Sequence, residues 1–113
     1  MSKEPFLAGH IDMLILAIVA REAAHGYGII EQLRLRSRGV VDLPEGTVYP
    51  ALYRLEGLGF LASDAREVSG RTRRVYRITR AGRAALKERE TSWRALVTSM
   101  DAILRGGAAP GHA

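Results

Sequence analysis

The chain has 113 residues, enough for one domain of ordinary size. Of these, 47% are hydrophobic, which excludes a disordered chain. It has no cysteine, so disulfides, thiolate metal sites and cysteine nucleophiles are excluded together, and a reducing, cytoplasmic setting is expected. The net charge of +5 is unevenly placed: between Arg66 and Arg83 stand seven arginines and one acid, Glu67, a local +6 that leaves −1 for the remainder. Arginine supplies 15 of the 17 cations, and its planar fork suits phosphate better than a lysine does. A confined cationic stripe points to a polyanion, nucleic acid first and an acidic membrane surface second.

Residues 1–9 read as a loose arm, with no apolar leader behind Met1-Ser2-Lys3-Glu4-Pro5. The longest apolar run, Met13 to Ala20, is too short to span a bilayer. Ile11, Leu14, Ile15 and Ile18 repeat at i, i+3, i+4 and i+7, which predicts a helix over His10–Glu22 whose apolar face Leu16 and Val19 widen. His10 reads as a surface or cap residue. A break at Ala23-Ala24-His25-Gly26 precedes a second helix, Tyr27–Arg36, with Tyr27, Ile30 and Leu33 inward. Arg34, Arg36 and Arg38 gather at its end, where cations suit the helix dipole, a reading preferred to a nucleic-acid role. Ser37 to Pro44 is a connector with Gly39 in a turn.

The third helix, within Glu45–Phe60, is the most informative stretch. Val48, Ala51, Leu52, Leu55 and Leu58 share one face, while Tyr49, Tyr53 and Arg54 share the other. Solvated helices carry Lys, Glu and Gln there; two tyrosines beside an arginine can stack, reach a phosphate or touch a base edge, or can belong to an ordinary helix with half-buried rings. Thr47 is the expected N-cap, with Pro50 in the first turn and Gly59 ending the run.

Leu61 to Val68 then reads as a strand, Ser69-Gly70 as a turn, and Arg73 to Ile78 as a returning strand with Tyr76 and Ile78 on one face. The tip Ser69-Gly70-Arg71-Thr72 is basic on its descending side. A bare hairpin is barely stable, so it must pack on the helices, with its tip expected beside the Tyr49/Tyr53 helix. Tyr76 divides between a core ring and a hydroxyl reaching a phosphate. Thr79 caps a last helix, Arg80–Arg105. Leu86, Trp93 and Met100 are spaced by seven, with Leu96 and Ile103 between them and Val97 and Leu104 thickening the stripe, a coiled-coil-like seam interrupted by Arg89. The stripe is expected to bury against a second copy; packing back on its own domain is the alternative. Gly106 to Ala113 reads as a disordered tail.

No catalytic constellation emerges. His10, His25 and His112 have no metal-ligand spacing, Gly26-Tyr27-Gly28 completes no phosphate-loop fingerprint, and no serine sits in a nucleophile elbow. The chain is therefore expected not to be an enzyme and to need no cofactor or metal. The fold class is mainly α with a small β-hairpin. Three helices and then a basic hairpin is the winged helix-turn-helix arrangement, in which the third helix enters the major groove and the wing tracks the backbone. Residues 10–79 form that unit and 80–105 a dimerisation helix.

Four segments also resemble the PadR family of bacterial transcriptional regulators. They are Leu14-Ile15-Leu16-Ala17-Ile18 with His25-Gly26-Tyr27; Gly46-Thr47-Val48-Tyr49-Pro50-Ala51-Leu52-Tyr53-Arg54-Leu55-Glu56; Gly59-Phe60-Leu61; and Ser69 to Thr79 with Gly82. They span about residues 10–85, in the family's order. Val48, Gly28 and Thr72 depart from its common residues, and the single long terminal helix is similar to the family's short subclass. The resemblance implies a homodimer, a palindromic operator and, usually, repression relieved by a small molecule. On this reading Thr47, Tyr49, Pro50, Tyr53 and Arg54 face the major groove. Arg71, Arg73 and Arg74 take phosphate or the minor groove, and Leu86, Trp93, Leu96, Met100 and Ile103 hold the dimer. Trp93 is also a candidate for contact with an apolar or aromatic effector. The rival reading is a winged-helix protein-interaction module without specific DNA binding, for which an arginine-rich wing has no use; a basic membrane-surface protein would need its cations on an amphipathic helix rather than a hairpin.

Overall fold

A computed structural model of the chain describes residues 9–106. The expected arm and tail fall almost wholly outside that range. In order the elements are α1 Ile11–Arg21, β1 Ala24–His25, α2 Gly26–Arg36, α3 Glu45–Gly57, β2 Leu61–Val68, β3 Arg71–Ile78 and α4 Arg80–Leu104. The first three helices enclose one core. Ile15, Leu16, Ile29, Val48, Leu52 and Leu55 are fully inaccessible, and the sheet closes it with Leu61 and Tyr76. Tyr76 is thus a core residue.

Local chemistry fixes the helix ends. After α3, Leu58 is the C-cap and Gly59 takes φ +81°. The Gly59 N–H donates to the Glu56 carbonyl at 3.0 Å and the Phe60 N–H to the Leu55 carbonyl at 3.0 Å, the paired bonds of a Schellman ending. Ser69 and Gly70, at φ 51° and 79°, join β2 to β3 through a two-residue turn whose positive φ values match strand twist. Thr79 caps α4, accepting from the Gly82 N–H at 3.0 Å and donating to the Gly59 carbonyl at 2.6 Å.

Six expectations need correction. Thr47 is not the N-cap of α3: Pro44 is, its carbonyl already accepting from the Thr47 and Val48 N–H groups at 3.0 and 3.1 Å. Pro50 consequently lies past the first turn, inside the helix. Leu58 is exposed, because the helix ends before its face turns inward, and Tyr27 is exposed because the buried stripe of α2 runs through Gly26, Ile29, Ile30 and Leu33. The break before α2 also holds a third strand: Ala24 pairs with Tyr76 and His25 with Val75, giving an antiparallel sheet of order β1-β3-β2. Lastly, β3 begins at Arg71, two residues earlier than expected.

The long helix divides along its length. Its first turns pack on the domain through Gly82, Ala85 and Leu86. Its distal half extends away, and the molecule measures 67 × 29 × 22 Å.

Candidate nucleic-acid interface

Successive residues of a helix are turned by about 100°, which sorts α3 into sides. Opposite the buried Val48, Ala51, Leu52 and Leu55 stand Gly46, Pro50, Tyr53 and Gly57, all exposed, Tyr53 by 67%. Among the described residues nothing lies within 4 Å of where a Cβ would stand on Gly46 or Gly57. Two helical glycines therefore sit outermost with no packing need, each costing about 1 kcal/mol of propensity relative to alanine. The result is a low, nearly uncharged ridge with one projecting ring.

The two flanks of that ridge are engaged differently. On one side, with Thr47, Arg54 forms an ion pair with Asp12 of α1. Asp12 is shared: its other oxygen lies 3.5 Å from the Arg89 guanidinium of α4, which also stands 5.8 Å above the Phe60 ring. Arg89 interrupts the α4 stripe because it faces its own domain. An open cleft of about 590 Å³ lies here between the start of α1, α3 and α4, and Trp93 lines it with the His10 ring edge-on at 4.9 Å. His10 takes the N-cap position of α1 without a side-chain cap bond.

On the other flank, the Tyr49 ring lies over Gly26. A Cβ on Gly26 would stand 2.5 Å from two ring carbons, so this glycine is what allows α2 and α3 to meet. Further along, the Ser63 hydroxyl donates to Glu56 at 2.7 Å and accepts from Arg74 at 3.2 Å. The middle of the hairpin, and not its tip as expected, is thereby tied to α3. Ser69 to Thr72 are exposed. Burial, reinforced by the negative charge of Glu56 and the nearby Tyr53, pushes the Tyr76 phenol above its ordinary range, with Arg74 opposing.

The wing arginines do not form one group. Strand alternation puts Arg74 with Tyr76 and Ile78 on the face toward α3, and Arg71, Arg73 and Arg77 on the outward face. The ladder also sets Arg66 directly opposite Arg73. Like charges so placed weaken a sheet by up to about 1 kcal/mol, and among the described residues only a 3.4 Å contact from Arg66 to Asp64, both well exposed, offsets it. His25, opposite Val75, shares this outward face. Burial and then Arg73 hold its imidazole below the usual range, with Glu31 opposing.

Of the expected dimer residues, Leu86 packs partly on its own core, while Leu96, Met100 and Ile103 are exposed, Ile103 by 78%. Trp93 lies between these regimes at 39%. Sequence reasoning missed Asp12, Glu56, Ser63, Arg66 and His25 as parts of this surface. Arg66 carried a readable signal in its place in the basic segment, and His25 and Glu56 in the segments that resemble the PadR family; Asp12 and Ser63 carried none. Among the described residues no group of three His, Asp or Glu side chains could hold a metal, and no helix is long and apolar enough to cross a membrane.

The fold recurs in known proteins. The profile of the transcriptional regulator PadR-like family matches residues 15–88. Transcriptional regulator Rv3488 of Mycobacterium tuberculosis is 45% identical over 83 residues, 74% of this chain and 75% of the relative. The crystal structure of a PadR family transcriptional regulator from Eggerthella lenta superposes with a TM-score of 0.78 at 30% identity, covering 90% of this chain and 88% of that one. A PadR-like transcriptional regulator from Bacillus cereus does so with a TM-score of 0.79 at 28% identity, over 94% and 100%. Fold, motifs and relatives agree: this chain belongs to the PadR-like family of transcriptional regulators.

Proposed function

We propose that the chain is a cytoplasmic, homodimeric repressor that binds a palindromic DNA operator and is released from it by a small-molecule effector. Residues 10–79 act as the DNA-binding unit and 80–105 as the dimerisation helix. The observation that carries this reading is the tie Glu56–Ser63–Arg74, which sets the glycine-, proline- and tyrosine-faced ridge of α3 beside an arginine-lined hairpin. A smooth ridge fits into a groove and a cationic ribbon follows the phosphates beside it. Pro50 and Tyr53 reach furthest toward base edges, with Thr47 and Tyr49 on the flanks. Arg54 joins them by exchanging Asp12 for DNA. Arg71, Arg73 and Arg74 take phosphates on both sides of the ribbon.

Dimerisation falls to Trp93, Leu96, Met100 and Ile103, with Leu86 anchoring the helix to its own domain. An apolar stripe left uncovered on a projecting helix is the usual mark of a partner surface. The cleft beside Trp93 suits a flat apolar or aromatic effector, since it touches α3 and α4 at once. A ligand there would alter the spacing of the two α3 helices, which must match half-sites about one helical turn apart.

The test is the salt dependence of DNA binding. Each phosphate contact contributes roughly −0.9 to the log–log slope. Arg73→Ala should reduce that slope by about one and weaken operator and mixed-sequence DNA alike. Binding to neither, or a slope near zero, would leave the interaction-module reading standing instead.

A further inference from the structure

The outward face of the hairpin opposes two arginines that gain nothing from each other. Arg66 and Arg73 are directly paired across the β2–β3 ladder, and the adjoining strand brings His25 onto the same face beside Val75. The His25 ring is closely packed: a Cβ on Gly28 would come within 3.1 Å of it. Three nitrogen-bearing groups from three different strands thus share the sheet face turned away from the core and away from Arg74. We propose that Arg66, Arg73 and His25 form a binding cluster for a DNA phosphodiester, and that His25 takes up a proton when the phosphate arrives. The inference rests on the DNA-binding reading above and adds to it Arg66, His25 and a proton.

The chemistry follows from the charges around the ring. Burial opposes protonation of His25, as does Arg73 on β3, while Glu31 of α2 favours it. Arg66 on β2 adds positive charge opposite Arg73, with Asp64 beside it as a partial counterweight. Arg21 and Glu22 at the end of α1, and Arg36 of α2, line the shallow cleft that His25 also lines. Free protein therefore holds the ring mostly neutral near pH 7. A phosphate seated on Arg73 and Arg66 cancels their repulsion and supplies an acceptor, so the cationic ring becomes favoured. Proton uptake then accompanies binding, and affinity must rise as pH falls through the bound-state midpoint.

Imidazole titration of the full chain, followed by NMR with His25→Gln as the assignment, reads this directly. Free protein, protein with inorganic phosphate and protein saturated with mixed-sequence duplex DNA are compared. With DNA the His25 midpoint is expected to rise by about one pH unit. Wild-type affinity should then gain up to about tenfold per protomer between roughly pH 8 and pH 5.5, a gain that His25→Gln lacks. Arg66→Gln should lower the log–log salt slope by about one. That variant removes the like-charge pair, so its folding is unchanged or improved and the loss belongs to binding. An unmoved His25 midpoint in a normally formed DNA complex overturns the inference alone, and so does an equal pH dependence in the variant. A rise with inorganic phosphate as large as with DNA overturns the assignment to DNA. Absence of DNA binding at every pH removes the DNA-binding reading and this inference with it.

Discussion

Gly82 and Gly57 are both helical glycines, yet alanine should act on them in opposite directions. Gly82 lies at the third position of α4. A Cβ there would overlap the Phe60 carbonyl oxygen and stand 2.8 Å from Ile78 Cγ1. The obstacle is mostly backbone and cannot swing aside. Phe60 is held in turn, since its carbonyl accepts from the Thr79 N–H at 3.0 Å. Relief therefore requires the first turn of α4 to lift, disturbing the Thr79 cap and the two Thr79 bonds to the carbonyls of Gly59 and Phe60. A lost cap costs about 1 kcal/mol, and each hydrogen bond about the same. Alanine returns about 1 kcal/mol of helix propensity. Gly82→Ala should accordingly destabilise by about 2 kcal/mol, a fall in Tm of roughly 10 °C for a chain of this size. Gly57, with open space around it, should gain up to about 1 kcal/mol from the same change. Urea unfolding of the three proteins at one fixed concentration measures both, the concentration being held because association shifts apparent stability. A Gly82→Ala protein as stable as wild type would refute the claim that backbone contact at this junction locks the hairpin to α4.

Trp93→Ala should cost at least about 2 kcal/mol of dimer stability, the range of an interface hot spot; sedimentation should show a concentration-dependent monomer, and a mutant fully dimeric at low micromolar concentration would remove Trp93 from the seam. Tyr76 sets an alkaline limit. Its folded-state value lies above the unfolded value of about 10, so its contribution is complete below pH 10 and is lost as pH rises through the folded value. Urea midpoints should fall above about pH 10 in wild type and fall less in Tyr76→Phe, and parallel curves would contradict the burial argument.

The third helix and the hairpin were legible because their signals are local. Periodicity alone selects Val48, Ala51, Leu52 and Leu55, and Ser69-Gly70 supplies the positive φ values of a tight turn. The start of α3 is hidden because Thr47 is the better capping side chain while the Pro44 carbonyl does the bonding. No two-residue strand has a period, so β1 is visible only once β3 offers it an edge. Tyr27 and Leu58 satisfy a helical pattern on paper, but the packed stripes run one step to the side. The site was legible as a set of residue types and not as a geometry. The pairing of Arg54 with Asp12, 42 residues away, and the division of Arg71 and Arg73 from Arg74 depend on how elements dock. The opposition of Arg66 and Arg73 could have been deduced by counting back from the Ser69-Gly70 turn, since a two-residue loop fixes the register.

The central claim is that the ridge of α3 reads a symmetric sequence while the hairpin holds the backbone. It is tested most directly by selecting bound duplexes from a random pool with the purified chain, alongside Tyr53→Ala. The expected result is an inverted repeat whose half-sites lie about one helical turn apart, with the variant losing roughly 1–3 kcal/mol on that repeat and much less on unselected DNA. Enrichment of no sequence, or a consensus without two-fold symmetry, would contradict it.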